Sequence, residues 1–518
     1  IIFKKEIRVK REEALKDQRT TLDWLRSENP DDVKILKPEI DPEIEVGALN
    51  KAFDDGPTFV CENIKGYPNA RYVVNLWGRK DRVAKLFGVD DLKEAKFKII
   101  EAAKKPVKPV IVDKAPCQEI VIPREKVDPF ALFPMIKHSP RDGGRFFGSG
   151  IHYIGGKYAD GGSQLALYRM SFRGNDYASI NMVPGGHGDL IAERFPNEKI
   201  PCTVNICPPP MVEMMGWGSL APMAFPETDE IGMAGALQGS PVELVKAKTI
   251  DAYSVANSEW VIEGYIVPKE RVWETEEAEK MNEQGVAPFH PEWARYLGRA
   301  YRSRKFEITA VTRRKDKPLY FVPFFGSLWG DQCFIEATFY KICNTLAPGF
   351  VTDVSNFLGL TVWSGIVLQC KKQRRSDEGM QRNMLAACLG GVRGLRIAMI
   401  VDEDINIREP EDLFFALTTR VNPATDIVRG VGGRGQSYQP AERAAAGSGA
   451  GTVTPVSIFE GGIGIDATVP LNSKQHFERG RYAVDKVDFT KWLTPEEITK
   501  IRANQHEYYR WLGKTGYA

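Results

Sequence analysis

Gln164-Leu-Ala-Leu-Tyr-Arg-Met-Ser-Phe172 decides the class of fold. Leu165–Phe172 reads as a β-run that carries one guanidinium, Arg169, in an otherwise apolar stretch. Runs of the same length recur on either side, at Glu119–Ile122, Ile151–Ile154, Cys202–Ile206, Ser258–Ile266 and Phe306–Val311, each bounded by Gly- and Pro-rich turns. From Cys117 to about Phe325 the chain therefore reads as an antiparallel barrel with inserted helices, and not as a βαβ dinucleotide fold. The charged stretch Glu274–Gln284 is read as a helical insertion into it.

Outward from this centre the pattern changes. Towards the N-terminus a charged helix is expected over Arg11–Asn29, with Leu15, Leu22 and Leu25 as a partial apolar stripe. Strand-like runs follow at Thr58–Val60 and Arg71–Leu76, then a helix over Asp91–Lys104 and a Pro- and Lys-rich linker over Lys104–Lys114. Beyond Phe325 helices are expected at Cys333–Leu346, Gly379–Leu389 and Glu411–Thr418, with strands at Gly365–Cys370 and Ile397–Val401. Gly430–Gly451 is expected to be a mobile loop and Pro495–Leu512 an amphipathic terminal helix, docking on its own domain or on a partner subunit. The expected organisation is α/β (α+β) in four parts: an N-terminal α/β domain over residues 1–115, the barrel over 116–325, a C-terminal α/β domain that would mediate oligomerisation over 326–485, and a helical tail over 486–518.

Composition excludes several classes. A net charge of +2 gives no overall attraction to nucleic acid or anionic membranes, so any anion site is local. No apolar run approaches the roughly 18 residues that span a bilayer. The opening Ile-Ile-Phe-Lys-Lys-Glu is charged too soon for a signal peptide and lacks a Met, so preceding residues are expected. The eight cysteines contain no CxxC pair, which argues against a zinc ribbon or a secreted disulfide framework and for a cytoplasmic location.

Three features carry chemistry. Arg169 in an apolar strand demands an anionic partner. His187 sits in Val-Pro-Gly-Gly-His-Gly (Val183–Gly188), where flanking glycines leave the backbone approachable; it is as readily a loop residue as a ligand. Glu230 opens Glu-Ile-Gly-Met-Ala-Gly-Ala-Leu-Gln-Gly239 and alone would be an ordinary helix-start carboxylate.

In combination these residues resemble the UbiD-type decarboxylases. The Asn-x-x-x-Tyr-Arg motif of that family looks like Gln164 to Arg169, the family's histidine falls where His187 stands eighteen residues beyond Arg169, and its metal glutamate precedes an Ala-Gly-x-Leu-x-Gly helix as Glu230 does. Ser258-Glu259 with Glu263-Gly264-Tyr265-Ile266, Val401–Asn406, Ala416–Arg420 and Gly464–Thr468 follow in the family's order. The resemblance implies reversible, non-oxidative removal of CO2 from an aromatic or α,β-unsaturated carboxylate with prenylated FMN, in a homo-oligomer (dimer or hexamer). The barrel would be a split-barrel flavin domain, with Leu167, Tyr168, Arg169, Asn181, Met182, Gly186, His187 and Arg420 at the cofactor. Gln164, His187 and Glu230 would hold a divalent ion, Mn2+ or Fe2+, with K+ alongside; an amide oxygen, an imidazole and a carboxylate suit such an ion. Arg169 would hold the substrate carboxylate.

The sequence also departs from the family. Gln164 stands where Asn is usual, and no lysine for the flavin phosphate precedes Val401-Asp402, leaving Lys371, Lys372, Arg393 and Arg396 as substitutes. The usual acid pair has no clean counterpart: Phe289 replaces the first carboxylate, and His290 and Glu292 are the candidate proton donors. Arg295, Arg299, Arg302, Arg304 and Lys305 form a basic run, read either as a solvated helix face or as a site for substrate phosphates. The second reading selects an aromatic acyl-CoA such as phthaloyl-CoA. Phenylphosphate carboxylation, a free aromatic acid, or a catalytically silent subunit of a carboxylase are the alternatives.

Overall fold

The structure, a computed structural model, describes residues 9–182, 185–218, 225, 227–286, 289, 296–322, 329–356, 360, 362–392, 394–430, 433–434, 458–459, 462–480, 483 and 486–503. Its internal contacts divide the chain into two compact units: residues 1–341 with 358–363 and 434–459, and residues 342–357 with 364–433 and 460–518.

The first unit opens with two helices, Arg11–Ala14 and Gln18–Glu28, where one was expected. Asp17 accepts the Arg19 amide at 2.7 Å and caps the second, so the stripe breaks at residues 15–17. A four-stranded mixed sheet follows, in the order Val33–Ile40, Thr58–Ile64, Arg71–Val74, Leu319–Phe321. The segment expected as a linker contains the strand Val110–Val112, paired in parallel with Glu243–Lys246.

The barrel is an antiparallel ladder in the order Ser163–Leu167, Gly150–Gly155, Ile200–Ile206, Trp260–Trp273, Arg302–Arg313, Tyr177–Ile180, Met170–Phe172, with Ile120–Pro123 also paired to Arg302–Arg313. The first and last strands of this ladder are consecutive in sequence, separated only by Tyr168 and Arg169. A sheet whose two ends are joined by two residues must curl until its edges meet, which leaves a barrel split along one seam. The run Leu165–Phe172 is therefore two strands, and Tyr168 and Arg169 cross the seam instead of lying within a strand.

The structure differs from three further expectations. Trp260–Trp273 does not end at Ile266: it passes a register shift between Val267 and Arg271 and runs on to deliver Glu274 at its end. Only Glu276–Met281 of the expected insertion is helical. Arg302, Arg304 and Lys305 lie on the strand Arg302–Arg313, not on a helix.

Inward-facing side chains fill the barrel. Phe133 stacks on Phe172 at 5.9 Å and meets Phe147 and Trp260 edge-on, with Ile206, Ile262 and Ile308 fully buried around them. Ile262→Val, which removes one buried methyl, is expected to cost about 1 kcal/mol, read as a lower urea midpoint with an unchanged slope.

The second unit holds a sheet in the order Val351–Ser355, Gly365–Cys370, Ile397–Asp402, Ile463–Ala467, Ile427–Arg429, of which the central three are parallel. Asp402 closes its strand and accepts the Val469 amide at 2.7 Å, tying two carboxyl ends of the sheet together. The terminal helix is Pro495–Ala503; residues 504–512 of the expected helix, and nearly all of Gly430–Gly451, lie outside the described residues. Among the described residues no helix is long and apolar enough to cross a membrane.

Candidate active site

The barrel strand Ser163–Leu167, the helix His187–Arg194 and the helix Glu230–Gln238 bring the three expected metal ligands together. Ser163 does the stitching. Its hydroxyl donates to Asp229 Oδ1 at 2.5 Å and accepts the Ile231 amide at 2.9 Å, fixing the start of the Glu230 helix against the strand. Glu230 Oε2 then accepts the Leu165 amide, next in sequence to Gln164. Its other oxygen lies 4.0 Å from His187 Nδ1.

The donor set fits a divalent cation. Gln164 gives its amide N–H to the Tyr168 hydroxyl at 3.1 Å, and its buried Oε1 has no hydrogen-bond partner among the described residues. A buried carbonyl oxygen without a donor is costly unless something positive meets it. Burial lowers the His187 pKa, which favours the neutral imidazole that a metal needs. Burial also pushes the Glu230 carboxyl up to about 8, the mark of an acid in a dry site where a bound cation would favour the charged form. Among the described residues no three His, Cys, Asp or Glu side chains group around one point; the trio is complete only with an amide oxygen.

Arg169, at the seam, has found its anion inside the chain. Its Nε and Nη2 donate to the two oxygens of Glu274 at 2.8 Å each, and Nη2 also reaches the Arg299 carbonyl at 2.9 Å. Glu274 is fully buried and further accepts Asn181 Nδ2 at 3.2 Å and the Tyr301 amide at 2.7 Å. The guanidinium lies near the rings of Phe289, at 5.2 Å, and Tyr301, at 5.8 Å. The sequence reading missed Glu274. The signal that could have found it is the strand-like Arg271-Val272-Trp273, which resumes after the bulge at Pro268.

The acid that faces Arg169 comes from the end of the strand Trp260–Trp273, and Phe289 lies beside the guanidinium. His290 and Glu292 lie outside the described residues. Asn181 turns its amide to Glu274 and Ser303. Met182 is buried in the barrel core, Gly186 caps the His187 helix, and Leu167 ends its strand.

The basic run is corrected. Arg304 is buried, bonded to Asp189 and Glu193, and Lys305 pairs with Glu270 at 2.8 Å. Arg299 donates to the Gly285 carbonyl at 2.9 Å, and Arg295 lies outside the described residues. Arg302 remains exposed. In the second unit Arg420 Nη1 donates to Asp404 Oδ1 at 2.9 Å and stands 3.5 Å from Asp402. Of the expected phosphate lysines, Lys372 is buried and donates to the Val469 carbonyl at 2.6 Å and to Thr468 Oγ1 at 3.0 Å, whereas Lys371 is exposed, 3.3 Å from Glu403.

Comparison with known proteins shows the class to which this split antiparallel barrel belongs. Residues 24–99, 108–327 and 332–467 match the N-terminal, Rift-related and C-terminal domains described for 3-octaprenyl-4-hydroxybenzoate carboxy-lyase. The chain belongs to the UbiD family of decarboxylases. It is 28% identical to gallate decarboxylase of Lactiplantibacillus plantarum over 92% of this chain and 99% of that protein. The apo 3,4-dihydroxybenzoic acid decarboxylase of Enterobacter cloacae is similar with a TM-score of 0.79, 25% identity and coverage of 93% of this chain and 99% of that one. The UbiD-class enzyme HmfF of Pelotomaculum thermopropionicum, in complex with FMN, is similar with a TM-score of 0.75 and 26% identity, over 92% of this chain and 100% of that one.

Proposed function

We propose that this decarboxylase removes CO2, reversibly and without net oxidation, from a free aromatic carboxylic acid of the phenolic type. The observation that carries the reading is Arg169, held at the barrel seam by Glu274 beside two aromatic rings, and next in sequence to Tyr168, whose hydroxyl meets Gln164 of the trio. The names of the gallate and 3,4-dihydroxybenzoic acid decarboxylases support the substrate class, and the FMN and prenylated-FMN complexes of HmfF support the cofactor.

Prenylated FMN, when bound, supplies the electron-accepting centre that allows a ring carbon to part from CO2. Leu167, Tyr168, Asn181, Met182 and Gly186 would line it, and Gln164, His187 and Glu230 would hold Mn2+ or Fe2+, with K+ as a second ion. Arg169 binds the substrate carboxylate through its fork and orients it. Glu274, which holds the guanidinium in place, is also the carboxyl positioned among the described residues to hold the proton that replaces CO2 on carbon. His290 and Glu292 are the alternative donors. The assembly is a homo-oligomer, as the dimeric HmfF form suggests.

A CoA thioester remains the second reading, resting on exposed Arg302 once Arg304 and Lys305 are seen to be paired. CO2 release from a panel of free phenolic acids and aromatic acyl-CoA thioesters tests both. Turnover of free acids is expected; turnover of thioesters alone would replace the proposal with the second reading, and no turnover by flavin-loaded protein would leave a silent subunit. Arg302→Glu is expected to leave KM for a free acid within about twofold, because one exposed charge is worth well under 1 kcal/mol. A rise in KM confined to thioesters would count for the CoA reading.

A further inference from the structure

Among the described members of the basic run, the most buried is paired with carboxylates of the chain itself. Arg304 is 4% exposed and lies on the strand Arg302–Arg313. Its Nη2 and Nε donate to Asp189 Oδ1 at 2.6 and 3.2 Å, its Nη1 to the Pro268 carbonyl at 2.5 Å, and it also bonds Glu193. Asp189 and Glu193 sit on the helix His187–Arg194. The second oxygen of Asp189 turns back and accepts the Gly185 amide at 2.8 Å.

His187 stands between these two anchor points. It is the first residue of the helix, with Gly185, at φ +71°, two residues before it and Asp189 two residues after. Glycines on both sides leave the backbone little stiffness of its own. The Asp189 carboxylate closes that turn at one end, while Arg304 ties the carboxylate to the barrel wall at the other. The imidazole is therefore located through the barrel wall and not merely by the local turn.

We propose that Arg304 and Asp189 are positioning residues that set His187 for metal binding. This rests on the reading of His187 as a metal ligand. Groups that orient a ligand typically change metal affinity about 10- to 100-fold when removed. Asp189 is the better probe, because Asp189→Asn keeps the volume and an acceptor for the Gly185 amide but removes the charge facing Arg304.

The test is a Mn2+ titration of the full chain with saturating FMN, following free Mn2+ by electron paramagnetic resonance, with the thermal midpoint of each metal-free variant as the measure of fold. Asp189→Asn and Arg304→Lys are expected to raise the Mn2+ Kd about 10- to 100-fold. Glu193→Gln, which alters the exposed partner of Arg304 that does not touch Gly185, is expected to stay within about twofold. A merely structural ion pair would lower the midpoint of Asp189→Asn and leave the Kd of the folded fraction unmoved. His187→Ala separates the two layers. If it loses Mn2+ while Asp189→Asn binds like the wild type, the positioning role is overturned. If His187→Ala itself binds like the wild type, the ligand reading fails and takes the positioning role with it.

Discussion

Arg169→Lys is expected to lower kcat/KM by a factor on the order of 10²–10⁴ while leaving the flavin spectrum nearly unchanged. A lysine keeps the charge but has one donor centre in place of a planar fork. In the structure that fork is held by both oxygens of Glu274 and lies near Phe289 and Tyr301, so its plane is defined before any substrate arrives. Glu274→Gln should fall by a similar factor for a linked reason: it removes the anion that aims Arg169 and the carboxyl that would hold the proton. A glutamine amide, with one accepting oxygen in place of two, cannot serve the Arg169, Asn181 and Tyr301 donors together, so a drop in thermal midpoint is also expected. The double variant should be little worse than either single one, because the two side chains act as a unit. Steady-state kinetics on the three proteins decides it. Additive losses, or loss of flavin from Arg169→Lys, would assign Arg169 to the cofactor or the fold.

How far the sequence could lead to this pair follows from the physics of strands. Short apolar runs between turns pointed to the barrel because side-chain alternation and turn residues are local signals. Motif spacing likewise placed Gln164, His187 and Glu230, each near the start of an element or within a strand. The curl of the sheet was not legible, since it depends on which strands end the ladder, and so Arg169 reads as lying inside a strand when it spans the seam. Glu274 was hidden by the register shift between Val267 and Arg271, which breaks the alternation that would have carried the strand forward. Arg304 looks like one of several surface cations because its partners, Asp189 and Glu193, are more than a hundred residues away. Pairing across such distances leaves no trace in local composition.

Glu230→Gln is expected to weaken Mn2+ binding at pH 7 at least about 100-fold and to release flavin with it during purification. On the proposed ligand set, three protein donors would leave half of the six positions that such an ion prefers open, so metal and flavin would be expected to bind jointly. The pH dependence gives a sharper signature. Burial raises the metal-free Glu230 carboxyl to about 8, so below that pH the ion must displace a proton to bind. Wild-type affinity should therefore climb about tenfold per pH unit up to roughly 8, and this component of the rise should vanish in Glu230→Gln. Stability runs the other way. A carboxyl whose pKa is raised by folding lends stability that is fully present below its unfolded value, near 4.5, and lost as pH rises through the folded one. Metal-free wild type should consequently lose thermal stability from about pH 4.5 to 8, and Glu230→Gln, which mimics the neutral acid, should lose less. Thermal melts with chelator and Mn2+ titrations over that range measure both slopes. A Glu230→Gln protein that keeps metal and flavin like the wild type would remove Glu230 from the ligand set, and equal pH slopes in the two proteins would remove its proton from the binding reaction.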